Sequence, residues 1–244
     1  ADERQVIIVL NDADIQSLSY EEGAASLISD PNTAIVKCPY STENEIVNQL
    51  KNRQLFRRGA VLIQNPFKRD QYEDVVESRE MYSIEKHMHF SEICCLLGAR
   101  TIRVKQIEKK YHKRTNETKV KVEVGRVVKG SVETNDQNIS KIAKSLTLLD
   151  EYSGSEPNVT GAIAVAERTS LIHDRNVRSL INICQNKGNR IKKRELELSL
   201  SCETERILDI VSSLDVPAYV NVNAEYKTIV QIRMEYNMSL LIEW

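Results

Sequence analysis

The chain has 244 residues, 41% of them hydrophobic and 28% charged, with 34 basic and 35 acidic side chains and a net charge of −1. This is the composition of a soluble globular protein, long enough to bury a core as one large domain or two small ones without a metal or disulfide staple. No apolar run approaches the ~20 residues needed to cross a bilayer as a helix, and Asp2, Glu3 and Arg4 ahead of a short apolar run do not make a secretory signal.

Residues 6–10 are uninterrupted apolar positions, the pattern of a strand covered on both faces. A helix is predicted near 15–29, then a strand at 33–38, a helix near 43–53 and a strand at 60–64 stopped by Asn65-Pro66. This β-α-β-α-β alternation makes residues 1–70 a small α/β portion, or a set of elements decorating a larger sheet. Residues 72–97 read as one long helix ended by Gly98 in a capping position, with Met81, Ile84, Met88 and Cys95 as its apolar stripe, Ile93 and Leu97 as candidate further members, and Arg79 and Lys86 on its solvated face. Residues 101–132 form a predicted β-hairpin turning at Thr115-Asn116-Glu117. Ile102 and Val104 share a parity that Ile107 and Tyr111 do not, so a bulge near Lys105-Gln106 would keep both pairs inward.

Residues 138–151 and 160–187 read as helical, residues 196–202 as a strand and residues 203–214 as a helix stopped before Pro217. From 220 to 244 every second residue is apolar except Thr228, which predicts one long strand, or a hairpin with an odd-length loop around residues 224–228. A single strand would reach ~80 Å at ~3.3 Å per residue, so the hairpin is the more compact solution. The expected fold class is α+β: a mainly antiparallel sheet of four or five strands with helices on one face in residues 71–244, following the small α/β portion, with the whole able to form one continuous domain.

The near-neutral charge conceals a sharp asymmetry. Residues 1–99 hold 10 basic and 16 acidic side chains (net −6), residues 100–129 hold 11 and 3 (net +8), and residues 130–244 hold 13 and 16 (net −3). In the basic block, Lys105, Lys109, Lys110, Lys113 and Arg114 precede the turn, and Lys119, Lys121, Arg126 and Lys129 follow it. Lys192, Lys193 and Arg194 extend the same candidate anion-binding set. Strand pairing stacks such charges on one ribbon, where they attract phosphate by counterion release and steering, although lysines also protect strand edges from aggregation. Tyr111 is the only aromatic in residues 100–129, too few for a base-stacking platform.

The motifs of common enzymes are missing. The eight glycines do not cluster into a phosphate loop, and G-x-S-x-G, H-E-x-x-H and C-x-x-C are not found. His87 and His89 lie two residues apart, which on a helix sends them to different sides of the axis. Asp12 and Asp14 follow the first strand, where they can hold a metal for hydrolysis or cap the next helix. The five cysteines are odd in number and read as reduced, core-packed residues of a cytoplasmic protein.

The expected function is therefore non-catalytic binding of an anionic partner, nucleic-acid phosphate first, with a protein partner or homo-oligomer also plausible. No cofactor and no metal are implied. Two alternatives stand beside it: a pore-forming effector that oligomerises through amphipathic strands, and a metal-dependent hydrolase or nuclease using Asp12 and Asp14.

Overall fold

The structure, a computed structural model, describes residues 4–21, 24–40, 44–113, 125–128, 142, 144–146, 149–186, 188, 190–214, 216 and 224–244. The chain divides into two compact units. Residues 1–79, 112–120 and 203–233 make the first, and residues 80–111, 121–202 and 234–244 make the second. The class is α+β with mostly antiparallel sheets and an α/β portion at the N-terminus.

In the first unit, β1 (Val6–Leu10) leads into α1 (Asp12–Leu18), α2 (Ala24–Ser29), β2 (Thr33–Lys37), α3 (Glu45–Asn52), β3 (Val61–Asn65) and β4 (Lys68–Asp74). The sheet order is β2-β1-β3-β4, with β1 parallel to β2 and the other neighbours antiparallel. β1 and β3 are buried along their whole length, as two apolar central strands must be when both faces are covered. Ile7, Val9, Leu62 and Tyr72 meet Leu50 of α3 and Ala60 in one apolar cluster. Beyond β3, Asn65 accepts hydrogen bonds from the Phe67 and Lys68 amides at 2.8 and 3.2 Å, the side-chain turn that folds β4 back.

In the second unit the helix α4 (Ser78–Leu96), whose first two residues belong to the first unit, is followed by β5 (Thr101–Lys113), β6 (Gly125–Val128) and β7 (Leu149–Glu151). Next come α5 (Val159–Arg168), a 3-10 turn at Leu171–His173, α6 (Arg175–Cys184) and β8 (Lys193–Ser199). The chain then contributes α7 (Cys202–Ser213) and α8 (Ala224–Gln231), which from Glu203 on belong to the first unit, and re-enters the second at Met234 within β9 (Ile232–Glu243). The sheet order is β6-β5-β9-β8, with β7 also paired to β5. β8 and β9 run antiparallel from Lys193↔Glu243 to Ser199↔Asn237. Tyr236, Met238 and Leu240 are buried between half-buried neighbours, so the predicted alternation holds over residues 235–240 of β9, beyond which Leu241 and Ile242 are both buried. On β5 the buried positions shift parity from Ile102 and Val104 to Ile107 and Lys109, at the residues where the sequence pattern demanded it. Gly98, at φ +86°, ends α4 as expected: a Cβ there would come within 2.4 Å of the Ser155 carbonyl oxygen.

Several expectations are corrected. The tail is not strand throughout, and no hairpin turns at residues 224–228: Ala224–Gln231 is helix α8 and only Ile232–Glu243 is strand. Among the described side chains Tyr226 and Ile229 are buried, three residues apart as on one helical turn, and Ile229 falls on the odd parity, outside the set that fits a period of two. The long helix begins at Ser78, because residues 72–74 complete β4. The region 160–187 is two helices broken at Ser170, which takes a left-handed φ of 58° before the 3-10 turn. The predicted first helix is two, α1 and α2, and residues 149–151 pair with β5 as strand β7.

Of the apolar stripe expected for α4, Met81 and Met88 are exposed, Ile84 and Cys95 are half-buried and Ile93 and Leu97 are buried, while Tyr82, Ser83, Lys86, His87 and Phe90 complete the buried face. The buried face keeps the three- and four-residue spacing, but it includes a lysine and a histidine that hydropathy alone assigns to solvent. Arg79 and Lys86 are accordingly interior residues.

Candidate functional site

Asp12 and Asp14 sit at the start of α1, where their carboxylates are already engaged. Asn11 caps the helix by accepting from the Asp14 amide at 2.8 Å, and Asp14 accepts from the Asn11 amide at 3.2 Å, which completes a capping box. Arg58 donates to Asp14 through Nε at 2.8 Å and Nη2 at 2.7 Å, and Lys37 pairs with Asp12 at 2.6 Å. The Arg58 hydrogen bonds hold the Asp14 carboxyl below the usual carboxylate range.

That depression fixes the sign of a pH effect. Above pH ~4 the carboxyl is ionised in both the folded and unfolded chains, and the full stabilisation is present. As pH falls, the unfolded chain takes up its proton first, so the stabilisation declines and is gone below the folded-state pKa. Urea unfolding should therefore show a gap between the parent chain and Asp14→Asn at pH 7 that narrows steadily below pH ~4. A gap that widens on acidification would contradict this assignment.

The basic set selected from the sequence divides into three groups. Lys105 is ion-paired with Glu195, Lys193 lies 3.5 Å from the Glu243 carboxylate, and Lys110 lies 4.0 Å from that of Glu108. The Lys105 hydrogen bond lowers the pKa of Glu195, and Thr101, with Lys193 behind it, does the same for Glu243. Lys109 is buried. Lys113 and Arg126 lie on β5 and β6, and Arg114, Lys119, Lys121 and Lys129 fall outside the described residues, as does the Thr115-Asn116-Glu117 turn. Lys192 and Arg194 form the third group, at the entry to β8 beside α6.

α6 supplies what the sequence reading omitted. Val177, Leu180 and Ile181 are buried, and the opposite face carries Arg175, Arg178 and Asn182 at steps of three and four residues, with Ser179 and Asn186 alongside. These side chains line an open hollow of about 610 Å³. Arg175 and Arg178 are exposed and their side chains make no hydrogen bond or ion pair among the described residues. Arg194 reaches toward the same face from β8: its Nη2 donates to Ser179 Oγ at 3.0 Å and its buried Nη1 has no partner.

The helix itself is held rigidly in place. Asp174 Oδ1 caps it by accepting from the Asn176 and Val177 amides at 2.8 and 3.4 Å, while Asp174 Oδ2 takes the ammonium of fully buried Lys86 at 3.0 Å. Asn176 Nδ2 further donates to the Glu197 carbonyl of β8 at 2.6 Å. The arrangement offers two free guanidinium forks with amide and hydroxyl donors beside them, the chemistry that binds phosphate or carboxylate oxygens. Arg175 and Arg178 escaped notice because residues 130–244 carry a net negative charge, and averaging over that length hides a local cationic face. The signal was the helical spacing of 175, 178 and 182 opposite an apolar stripe.

Among the described residues, no three histidine, cysteine or carboxylate side chains lie close enough to hold a metal ion, and no helix is long and apolar enough to cross a membrane. No protein family model, curated protein or solved structure matches the chain at a significant level.

Proposed function

We propose that this chain is a non-catalytic binding protein that engages nucleic-acid phosphates through the cationic face of α6. The observation that carries the reading is the pair Arg175 and Arg178: exposed, without carboxylate partners among the described residues, and lining one hollow with three neutral hydrogen-bond donors. Arginine forks bind phosphate through two parallel hydrogen bonds, and helix spacing sets these two forks side by side. Lys192 adds an exposed cation, and the net +8 of residues 100–129 supplies the long-range field that draws a polyanion to the protein. Five free cysteines suit a reducing, cytoplasmic setting.

Binding of a labelled oligonucleotide, followed by anisotropy from about 50 to 200 mM salt, tests the proposal. Affinity should fall linearly on a log–log scale. Arg175→Glu/Arg178→Glu should weaken binding at least roughly tenfold and flatten the slope by about two. Both side chains are exposed, so the variant should melt at the parent temperature. Undiminished binding by the double variant would overturn the reading.

A further inference from the structure

A second, deeper cavity of about 880 Å³ opens in the same unit, between the end of α4, the loop before α5 and the segment leading into β8. We infer that it binds one nucleotide, with the base against Trp244 and the phosphate between Arg100 and Lys192. The inference extends the phosphate-binding reading above and rests on it for the class of ligand.

Three features carry it. First, Trp244 lines the cavity and its indole Nε1 donates to the Leu97 carbonyl at 3.1 Å, so the ring is fixed before any ligand arrives. A fixed aromatic surface stacks a base without paying to order the side chain. Second, Arg100 and Lys192 line the same cavity, are exposed, and have side chains without hydrogen-bond or ion-pair partners among the described residues. Arg190 is different: Glu156 takes both of its terminal nitrogens at 2.8 Å, so it closes a wall and leaves its charge satisfied.

Third, the walls are preformed. The Arg100 amide donates to the Glu243 carbonyl at 2.7 Å, the Tyr152 amide to the Arg100 carbonyl at 2.7 Å and the Asn158 amide to the Leu96 carbonyl at 2.7 Å. Gly154, at φ +75°, admits the Arg100 side chain so closely that a Cβ there would stand 2.8 Å from Arg100 Cγ. The volume falls within the range of sites for compact ligands, roughly 300–1,000 Å³. Apolar Val159 and Ile191 beside amides of Gln185 and Asn186 suit a heteroaromatic ring with polar edges better than an alkyl chain. Ile183 and Asn186 line this cavity and the α6 hollow alike, so the two sites adjoin.

The chain has a single tryptophan, which makes intrinsic fluorescence a direct reporter of the cavity. Adenosine monophosphate should change Trp244 emission saturably, with calorimetry giving the same dissociation constant. Uncharged adenosine and inorganic phosphate alone should each bind at least roughly tenfold more weakly, because each lacks one half of the recognition. Arg100→Glu/Lys192→Glu should lose the response while melting normally, since both residues are exposed. In the Arg175→Glu/Arg178→Glu background, a 5′-phosphorylated oligoadenylate that changes Trp244 emission at lower concentration than the mononucleotide and than its 5′-hydroxyl counterpart identifies a strand end as the source, and a weaker response than the mononucleotide identifies the free nucleotide. No saturable response, equal affinity for adenosine, or an unaffected double variant would overturn the inference. A strand that binds through Arg175 and Arg178 without mononucleotide binding defeats the cavity alone. The reverse result defeats only the polymer-binding reading.

Discussion

Glu205→Ala should destabilise the chain by about 3–5 kcal/mol, read as a lower urea midpoint with an unchanged slope. Glu205 on α7 is fully buried, and it accepts from Arg79 Nε at 2.5 Å and from Nη2 at 3.4 Å. Arg79 Nη2 also donates to the Ile229 carbonyl of α8 at 3.0 Å and to the Ile232 carbonyl at 2.5 Å, whereas Nη1 is buried without a partner. Truncating Glu205 leaves a guanidinium inside the protein with no counter-charge, and that penalty dominates the loss. The converse follows from the same physics. Replacing both members, as Arg79→Met/Glu205→Leu, removes two desolvation costs together and should recover most of the loss or exceed the parent. A double variant as unstable as Glu205→Ala would mean the pair contributes through its geometry rather than through charge balance.

Asp174→Ala should cost a comparable 3–5 kcal/mol and also weaken oligonucleotide binding. One carboxylate does two jobs here: Oδ1 caps α6, and Oδ2 neutralises Lys86, which is completely buried and also lies 3.5 Å from Cys202 Sγ. Alanine removes the cap, worth roughly 0.5–2 kcal/mol, and takes the Asp174 carboxylate away from a buried ammonium. Because Arg175 and Arg178 occupy the first turn of α6, fraying there moves the proposed phosphate ligands. Lys86→Met should be milder, since the Asp174 carboxylate keeps its two backbone amides and a helix N-terminus favours negative charge. Chemical denaturation ranks the pair, and Lys86→Met proving the costlier substitution would contradict this division of labour.

These two interior charges also mark the limit of what the sequence discloses. Continuous apolar runs and strict alternation locate β1, β3 and β9, and Gly98 locates the end of α4, because each follows from local geometry. β4 was invisible: Lys68-Arg69-Asp70-Gln71 is exposed, as suits an edge strand, and its pairing is supported by polar side chains, the turn at Asn65 and the Gln64 hydrogen bond to the Arg69 carbonyl. α8 was misread because Ile229, an apolar residue at an odd position that pairs with Tyr226 over one helical turn, was passed over in an otherwise alternating stretch. Lys86 and Arg79 looked solvated because their burial depends on Asp174 and Glu205, 88 and 126 residues away. Of the candidate site, Lys192 and Arg194 were legible as part of a charge run. Arg175 and Arg178 needed the fold, which shows one face of α6 buried and these two guanidiniums on the other, without hydrogen-bond or ion-pair partners among the described residues.

The most direct test of phosphate engagement by α6 is arginine footprinting, using phenylglyoxal labelling and mass spectrometry on the full chain with and without a saturating oligonucleotide. Arg175 and Arg178 should react readily in the free protein and become protected in the complex, while buried Arg79 stays unreactive in both. Full reactivity of Arg175 and Arg178 in a saturated complex would place the nucleic acid elsewhere and contradict the account.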